Sequence, residues 1–176
     1  MGYTQDDNLL IQSYFTLGLL MELNNQKFLE SEYFKNIEFQ DTIVKANLPS
    51  YGIDNQGTLM IFLYVTLVLS KQLLSEKFPE EFIKLNTTID QIKISAVSTY
   101  KKDKDGIDFI RHIRNSVAPA RVEFNPTISV TFIDENNSNE ECKITIALKN
   151  IGIFLTQLQL LHRKHLITCV FEGKNK

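Results

Sequence analysis

Apolar side chains recur at helical spacing through most of this chain, and the period changes once, near the C-terminal third. Residues 8–23 place Leu10, Tyr14, Leu17 and Met21 on one line with Leu9 and Leu20 beside it, which predicts an amphipathic helix. Asp6 and Asp7 sit where carboxylates cap a helix start and meet its dipole. A weaker helical pattern covers residues 26–35. Residues 36–55 carry Pro49 and Gly52 and read as a loop with short extended pieces.

Residues 57–77 are apolar nearly all round, so they predict a central buried helix. Pro79 ends it, and Pro79-Glu80-Glu81 opens a new helical turn that runs to about Leu85. A further helix is expected over residues 88–100, with Thr87 or Thr88 as cap and Ile89, Ile92, Ala96 and Val97 as its apolar positions. A charged turn, residues 101–105, leads through Gly106 to a helix over residues 107–118, which Pro119 stops; Asp105 is its expected cap. Then the period falls to two. Ile128, Val130 and Phe132 alternate with Ser129, Thr131 and Ile133, and Ile144, Ile146 and Leu148 alternate with Lys143, Thr145 and Ala147. With the Asn-rich segment 134–141 between them they predict a β-hairpin. Helical spacing returns over residues 150–167. The expected architecture is mainly α, a single-domain helical bundle over residues 1–176 with a β-hairpin inserted before the C-terminal helix.

Composition changes this picture little. The chain has 176 residues, 43% hydrophobic and 23% charged, with net charge −2. Those values exclude a disordered tail, a disulfide scaffold and a protein that holds nucleic acid by bulk positive charge. Cys142 and Cys169 read as reduced thiols of a cytoplasmic protein. The longest uncharged run, residues 55–70, is short of the roughly 20 residues of a membrane span.

Local charge matters more. Residues 101–121 carry six basic side chains (Lys101, Lys102, Lys104, Arg111, Arg114, Arg121) and three acidic ones (Asp103, Asp105, Asp108). A positive segment in an acidic chain is a candidate site for an anion such as a phosphodiester. The run Arg111-His112-Ile113-Arg114-Asn115-Ser116-Val117-Ala118-Pro119 resembles the motif of the HEPN superfamily, helical-bundle ribonucleases of toxin–antitoxin, abortive-infection and CRISPR systems. That motif is Arg, a polar residue, three further positions, then His. Here Arg114 and Asn115 match, and Pro119 stands in the His position. The order of long apolar helix, motif helix, hairpin and final helix also fits one branch of that superfamily, over about residues 55–167.

The resemblance implies metal-independent RNA cleavage, in which the ribose 2′-OH attacks the neighbouring phosphate. It implies no cofactor and no metal. It implies a homodimer with both motifs facing one cleft, and RNA and an antitoxin or other defence-system partner as ligands, with no membrane role. Arg114 would stabilise phosphate charge and Asn115 would orient the motif; Arg111, His112 and Arg121 of the positive segment are secondary candidates for phosphate contact. An imidazole at position 119 would move protons. Proline does neither, so the chain as written is expected to be an impaired or inactive nuclease. The alternative is a non-catalytic module that binds RNA or a protein. His112, two residues before Arg114, points roughly 200° away from it on a helix and is expected to be a half-exposed surface side chain.

Other candidates are weaker. His162, His165 and Cys169 share a helical face and could ligate zinc, but Arg163 and Lys164 between them favour a plain cationic helix end. Ser116 has no Asp–His partner and reads as a surface hydroxyl. Tyr100 either stacks on a base or closes the bundle. Neither Glu80-Glu81 nor Glu140-Glu141 places its two carboxylates on one face, and Gly52 and Gly57 form no phosphate loop.

Overall fold

The structure, a computed structural model, describes residues 4–169. Helix α1 (Gln5–Asn25) starts at a capping box, in which the Thr4 side chain accepts from the Asp7 amide and the Asp7 side chain accepts from that of Thr4. A 3₁₀ turn (Phe28–Glu30) and the short α2 (Glu32–Asn36) follow, in place of the one weak helix expected over residues 26–35. Helix α3 (Thr42–Tyr51) occupies the segment expected to be a loop. Its ends explain it: the Asp41 carboxylate accepts from the amides of Ile43 (2.9 Å) and Val44 (3.1 Å), and Gly52 closes the other end at φ 74°. None of its residues is buried.

The central apolar helix is interrupted. It runs as α4 (Gln56–Leu63), a π-helical segment (Tyr64–Leu69) and α5 (Lys71–Lys77). Hydroxyls compete with the backbone there. Thr66 Oγ1 donates to the Phe62 carbonyl at 2.7 Å, and Ser70 Oγ donates to the Thr66 carbonyl. The same Thr66 carbonyl accepts from His162 Nε2 at 3.1 Å.

Helix α6 (Pro79–Ile92) and strand β1 (Lys93–Ser98) correct the expected helix over residues 88–100. Thr87 and Thr88 do not cap anything. Their hydroxyls donate back to the carbonyls of Ile83 (3.1 Å) and Lys84 (2.9 Å), so α6 passes through them. Beyond Ile92, pairing with another strand overrides the helical spacing of Ala96 and Val97. Helix α7 (Phe109–Val117) is capped by Asp108 rather than Asp105. It leads to β2 (Val122–Asn125), β3 (Ser129–Glu135), β4 (Glu141–Ala147) and α8 (Leu148–Ile167). The expected hairpin is β3–β4, but it is the centre of an antiparallel four-stranded sheet ordered β1-β4-β3-β2. The protein is mainly α with this small sheet placed before its last helix.

The core lies where α6, α7 and α8 meet the sheet. Ile113, Phe132, Ile144, Ile146, Phe154 and Leu158 are fully buried there. Among the described residues, no single helix is long and apolar enough to cross a membrane.

At the far end of the bundle, Asp7 joins three elements. Its carboxylate takes the Thr4 hydroxyl (2.7 Å), Lys77 Nζ (3.0 Å) and His165 Nε2 (3.1 Å). Burial alone would raise its pKa, but Thr4 and then Lys77 outweigh that and hold it down to about 2. A carboxyl with a depressed folded pKa stabilises the fold above its ordinary value of 3.8, and that stability is lost as pH falls towards about 2. We therefore expect acid unfolding to steepen between those two values. In Asp7→Asn the fluorescence-monitored stability should lose that part of its pH dependence. An unchanged acid limb would contradict the role given to Asp7.

Candidate functional site

Helix α7 is strongly two-faced. Phe109, Ile110, Ile113 and Val117 point into the core, and Arg111, Arg114 and Asn115 lie half-buried along one edge. The helix is fixed at its start by Asp108 Oδ1, which accepts from the Arg111 amide (3.1 Å), and by Asn86 Oδ1, which accepts from the Ile110 amide (3.0 Å). At its end the Ala120 amide donates to the Val117 carbonyl (3.0 Å) and the Arg121 amide to the Ser116 carbonyl (2.8 Å), with Ala120 left-handed at φ 58°. Pro119 lies in this turn, exposed, and its missing N–H is not needed by either bond.

A chain of hydrogen bonds runs under the polar edge. Arg114 Nη2 donates to Asn115 Oδ1 at 2.7 Å. Asn115 Nδ2 donates to Asp134 Oδ2 at 3.1 Å. The same Asp134 oxygen lies 2.7 Å from His112 Nδ1. His112 Nε2 lies 2.8 Å from both Asp103 Oδ2 and Arg111 Nη2. Arg111 Nη2 also donates to Asp103 Oδ1 at 2.6 Å, and Ser98 Oγ donates to Asp103. A carboxylate only accepts, so His112 Nδ1 carries the proton toward Asp134. Nε2 faces an acceptor and a donor at once, so it serves either Asp103 or Arg111.

Electrostatics follow from this packing. Burial would raise the Asp103 pKa, but Ser98, His112 and Arg111 together pull it below the usual carboxylate value. Burial and then the neighbouring Asp134 charge push the Tyr100 phenol up to about 12, so it stays neutral. Its ring packs on His112 with centroids 4.8 Å apart. Burial lowers the Arg114 pKa, against the pull of Asp108 and Asp134; a guanidinium nevertheless keeps its charge. Among the described residues Arg114 enters no salt bridge, whereas Arg111 is held by Asp103 and Arg121 by Glu135.

The structure therefore brings Arg111, His112, Arg114 and Asn115 into one network and leaves Pro119 and Arg121 outside it. Arg121 is exposed, with Nη1 on the Glu135 carbonyl (3.1 Å). Two expectations are corrected. His112 is not a half-exposed surface side chain: it is fully buried between two carboxylates, so it positions other groups and does not itself face a ligand. Ser116 is not a surface hydroxyl either: it is buried and donates to the His112 carbonyl at 2.7 Å. Asp103 and Asp134 complete the network from outside α7, where spacing along the motif helix does not reach.

Possible metal ligands are already engaged. Asp7, His165 and Cys169 come together, with His162 turned away to Thr66, but Lys77 supplies positive charge at Asp7. Asp103, His112 and Cys142 also converge, and there Arg111 fills that place. Burial pushes the Cys142 thiol up to about 11, which makes it a poor thiolate ligand or nucleophile.

A family model described as HEPN pEK499 p136 matches residues 1–166. The chain belongs to the HEPN pEK499 p136 family. The match extends the HEPN resemblance of residues 55–167 back through α1, α2 and α3, so the N-terminal helices are part of what this family shares. No curated protein and no solved structure matches the chain. Within a HEPN-type domain, the α7 edge carrying Arg114 and Asn115 is the candidate functional site.

Proposed function

We propose that the chain is a HEPN-type ribonuclease fold that binds RNA at the α7 edge and, with Pro119 in the motif His position, does not cut it. Arg114 grips a phosphate, Asn115 orients its guanidinium, and Arg121 and Arg111 add contacts at either side. The observation that carries this reading is the burial of every imidazole. The chain has three histidines, and His112, His162 and His165 are 0%, 3% and 1% exposed. No solvent-facing imidazole remains to take the 2′-OH proton or supply one to the leaving 5′-oxygen. We place the protein in the cytoplasm, in a toxin–antitoxin or antiphage defence system, as a homodimer with two α7 ends facing one cleft. No metal or organic cofactor enters the reading.

Arg114→Ala is expected to weaken binding of a labelled single-stranded RNA about tenfold in fluorescence anisotropy with EDTA present, as loss of a charge-assisted contact requires. Arg114→Lys should recover only part of it, since an ammonium lacks the guanidinium fork. Unchanged affinity in Arg114→Ala would remove the phosphate role.

A second reading has one observation in its favour. On α3, Ile43 and Tyr51 are 73% and 72% exposed, an apolar surface suited to a protein partner. If that surface is the functional one, Ile43→Asp abolishes partner capture while Arg114→Ala leaves it intact.

A further inference from the structure

One turn of α7 before Arg114, the Arg111 side chain forms part of the wall of a cavity of about 350 Å³. The other walls come from two turns: Tyr100, Lys101 and Lys102 after β1, and Asn136, Ser138 and Glu140 between β3 and β4. These turns are fastened to each other. The Lys101 amide donates to Glu140 Oε1 at 3.0 Å, and Asn136 Nδ2 donates to Glu140 Oε2 at 2.8 Å. The Thr99 amide donates to the Glu141 carbonyl at 2.8 Å. Asn136 Oδ1 in turn accepts from the amides of Ser138 (2.8 Å) and Glu140 (3.1 Å). The walls are thus set before any ligand arrives, which lowers the ordering cost of binding.

The chemistry of the lining is uneven. Three cations, Lys101, Lys102 and Arg111, face one acid, and that acid, Glu140, is engaged by the bonds just given. The salt bridges of this region use Arg111, His112, Arg121 and Lys143; among the described residues Lys101 and Lys102 enter none. Arg111 Nε is buried and has no hydrogen-bond partner among the described residues. Tyr100 supplies a neutral aromatic surface beside these charges, held by His112 on one side and with Arg111 Cζ 5.5 Å from its ring centroid. The volume is near the lower end of the range for small-ligand pockets, the scale of one nucleotide rather than of a duplex.

We propose that this cavity seats one nucleotide of a single-stranded RNA, with a phosphate on Lys101 and Lys102 and the base against Tyr100. Aromatic surface interleaved with cations is the pattern that single-stranded nucleic acid meets on its protein partners. Arg111 and Arg114 are three residues apart, about 4.5 Å along the helix axis, so one strand could run from this cavity to the motif edge. The inference rests on the RNA-binding reading above and assigns to it a second, base-contacting subsite.

The test is anisotropy of a labelled octauridylate and of an abasic ribose-phosphate strand of equal length, in EDTA, across a salt series from about 50 mM. Lys101→Ala/Lys102→Ala, at two exposed positions, should weaken octauridylate binding about tenfold and flatten its log–log salt slope by about 1.4. Tyr100→Phe should keep the preference for octauridylate over the abasic strand, and Tyr100→Leu should lose it, a difference of at least about fivefold. Thermal melts establish that each variant is folded; if Tyr100→Leu is not, the lysine pair decides alone. The proposal is overturned if Arg114→Ala weakens binding while the lysine variant binds as tightly as the wild type, and the RNA-binding reading then stands. If the wild type binds neither strand, both fall together.

Discussion

His112→Ala is expected to destabilise the protein by about 3 to 5 kcal/mol. The imidazole is fully buried and touches both Asp134 (2.7 Å) and Asp103 (2.8 Å). Removing it leaves two buried carboxylates short of a partner and opens a cavity under Tyr100, whose ring rests on it. Asp103 retains Arg111 and Ser98, and Asp134 retains Asn115, so the fold should survive with a lower midpoint. Urea unfolding with an unchanged m-value measures the loss directly. The effect should also reach Arg114, because the Asn115 tether ends on the Asp134 oxygen that His112 holds. A loss below about 1 kcal/mol would mean that the buried network is not what holds this face together.

Pro119→His is expected to create metal-independent RNA cleavage at least about a hundredfold above the wild type, the lower end of what a placed general acid or base contributes. The backbone accommodates the change. The turn is closed by the amides of Ala120 and Arg121, and the position itself is exposed. The new residue costs only the rigidity that proline gives the unfolded chain, roughly 0.4 to 1 kcal/mol. Cleavage should depend on Arg114, so Pro119→His/Arg114→Ala should return to background. It should also follow a pH profile that titrates near neutrality, as an exposed imidazole does. A folded, RNA-binding Pro119→His variant that cuts nothing would show that more than the imidazole is missing from the site.

Much of this arrangement was legible because it is local. The motif helix, its stop at Pro119 and the following hairpin all follow from spacing along neighbouring stretches of chain, and the structure has them in place as α7, the turn and β3–β4. Local spacing misleads where distant pairing decides. Strand β1 forms because β4 offers it an edge, from Cys142 to Ile146, and nothing in residues 93–98 announces that partner. His112 does point away from Arg114 as the helical wheel requires, but that direction leads into the core, where carboxylates 9 and 22 residues away meet it. One clue was present. Asp134 falls in phase with Val130 and Phe132, on the inward side of β3, and an acid in an inward register demands a buried partner. Helix α3 is equally legible from Asp41 and Gly52 at its two ends, since these caps outweigh Pro49 inside it.

Binding without cutting is read out in a single experiment on one sample. Wild-type protein is incubated with labelled single-stranded RNA in EDTA, the complex is quantified by anisotropy, and the same RNA is then run on a denaturing gel. The expected result is salt-sensitive binding with the RNA recovered at full length. Cleaved RNA would contradict it by showing that this chain moves protons without an exposed imidazole, and an absence of binding would contradict it by leaving Arg114 without a phosphate to hold.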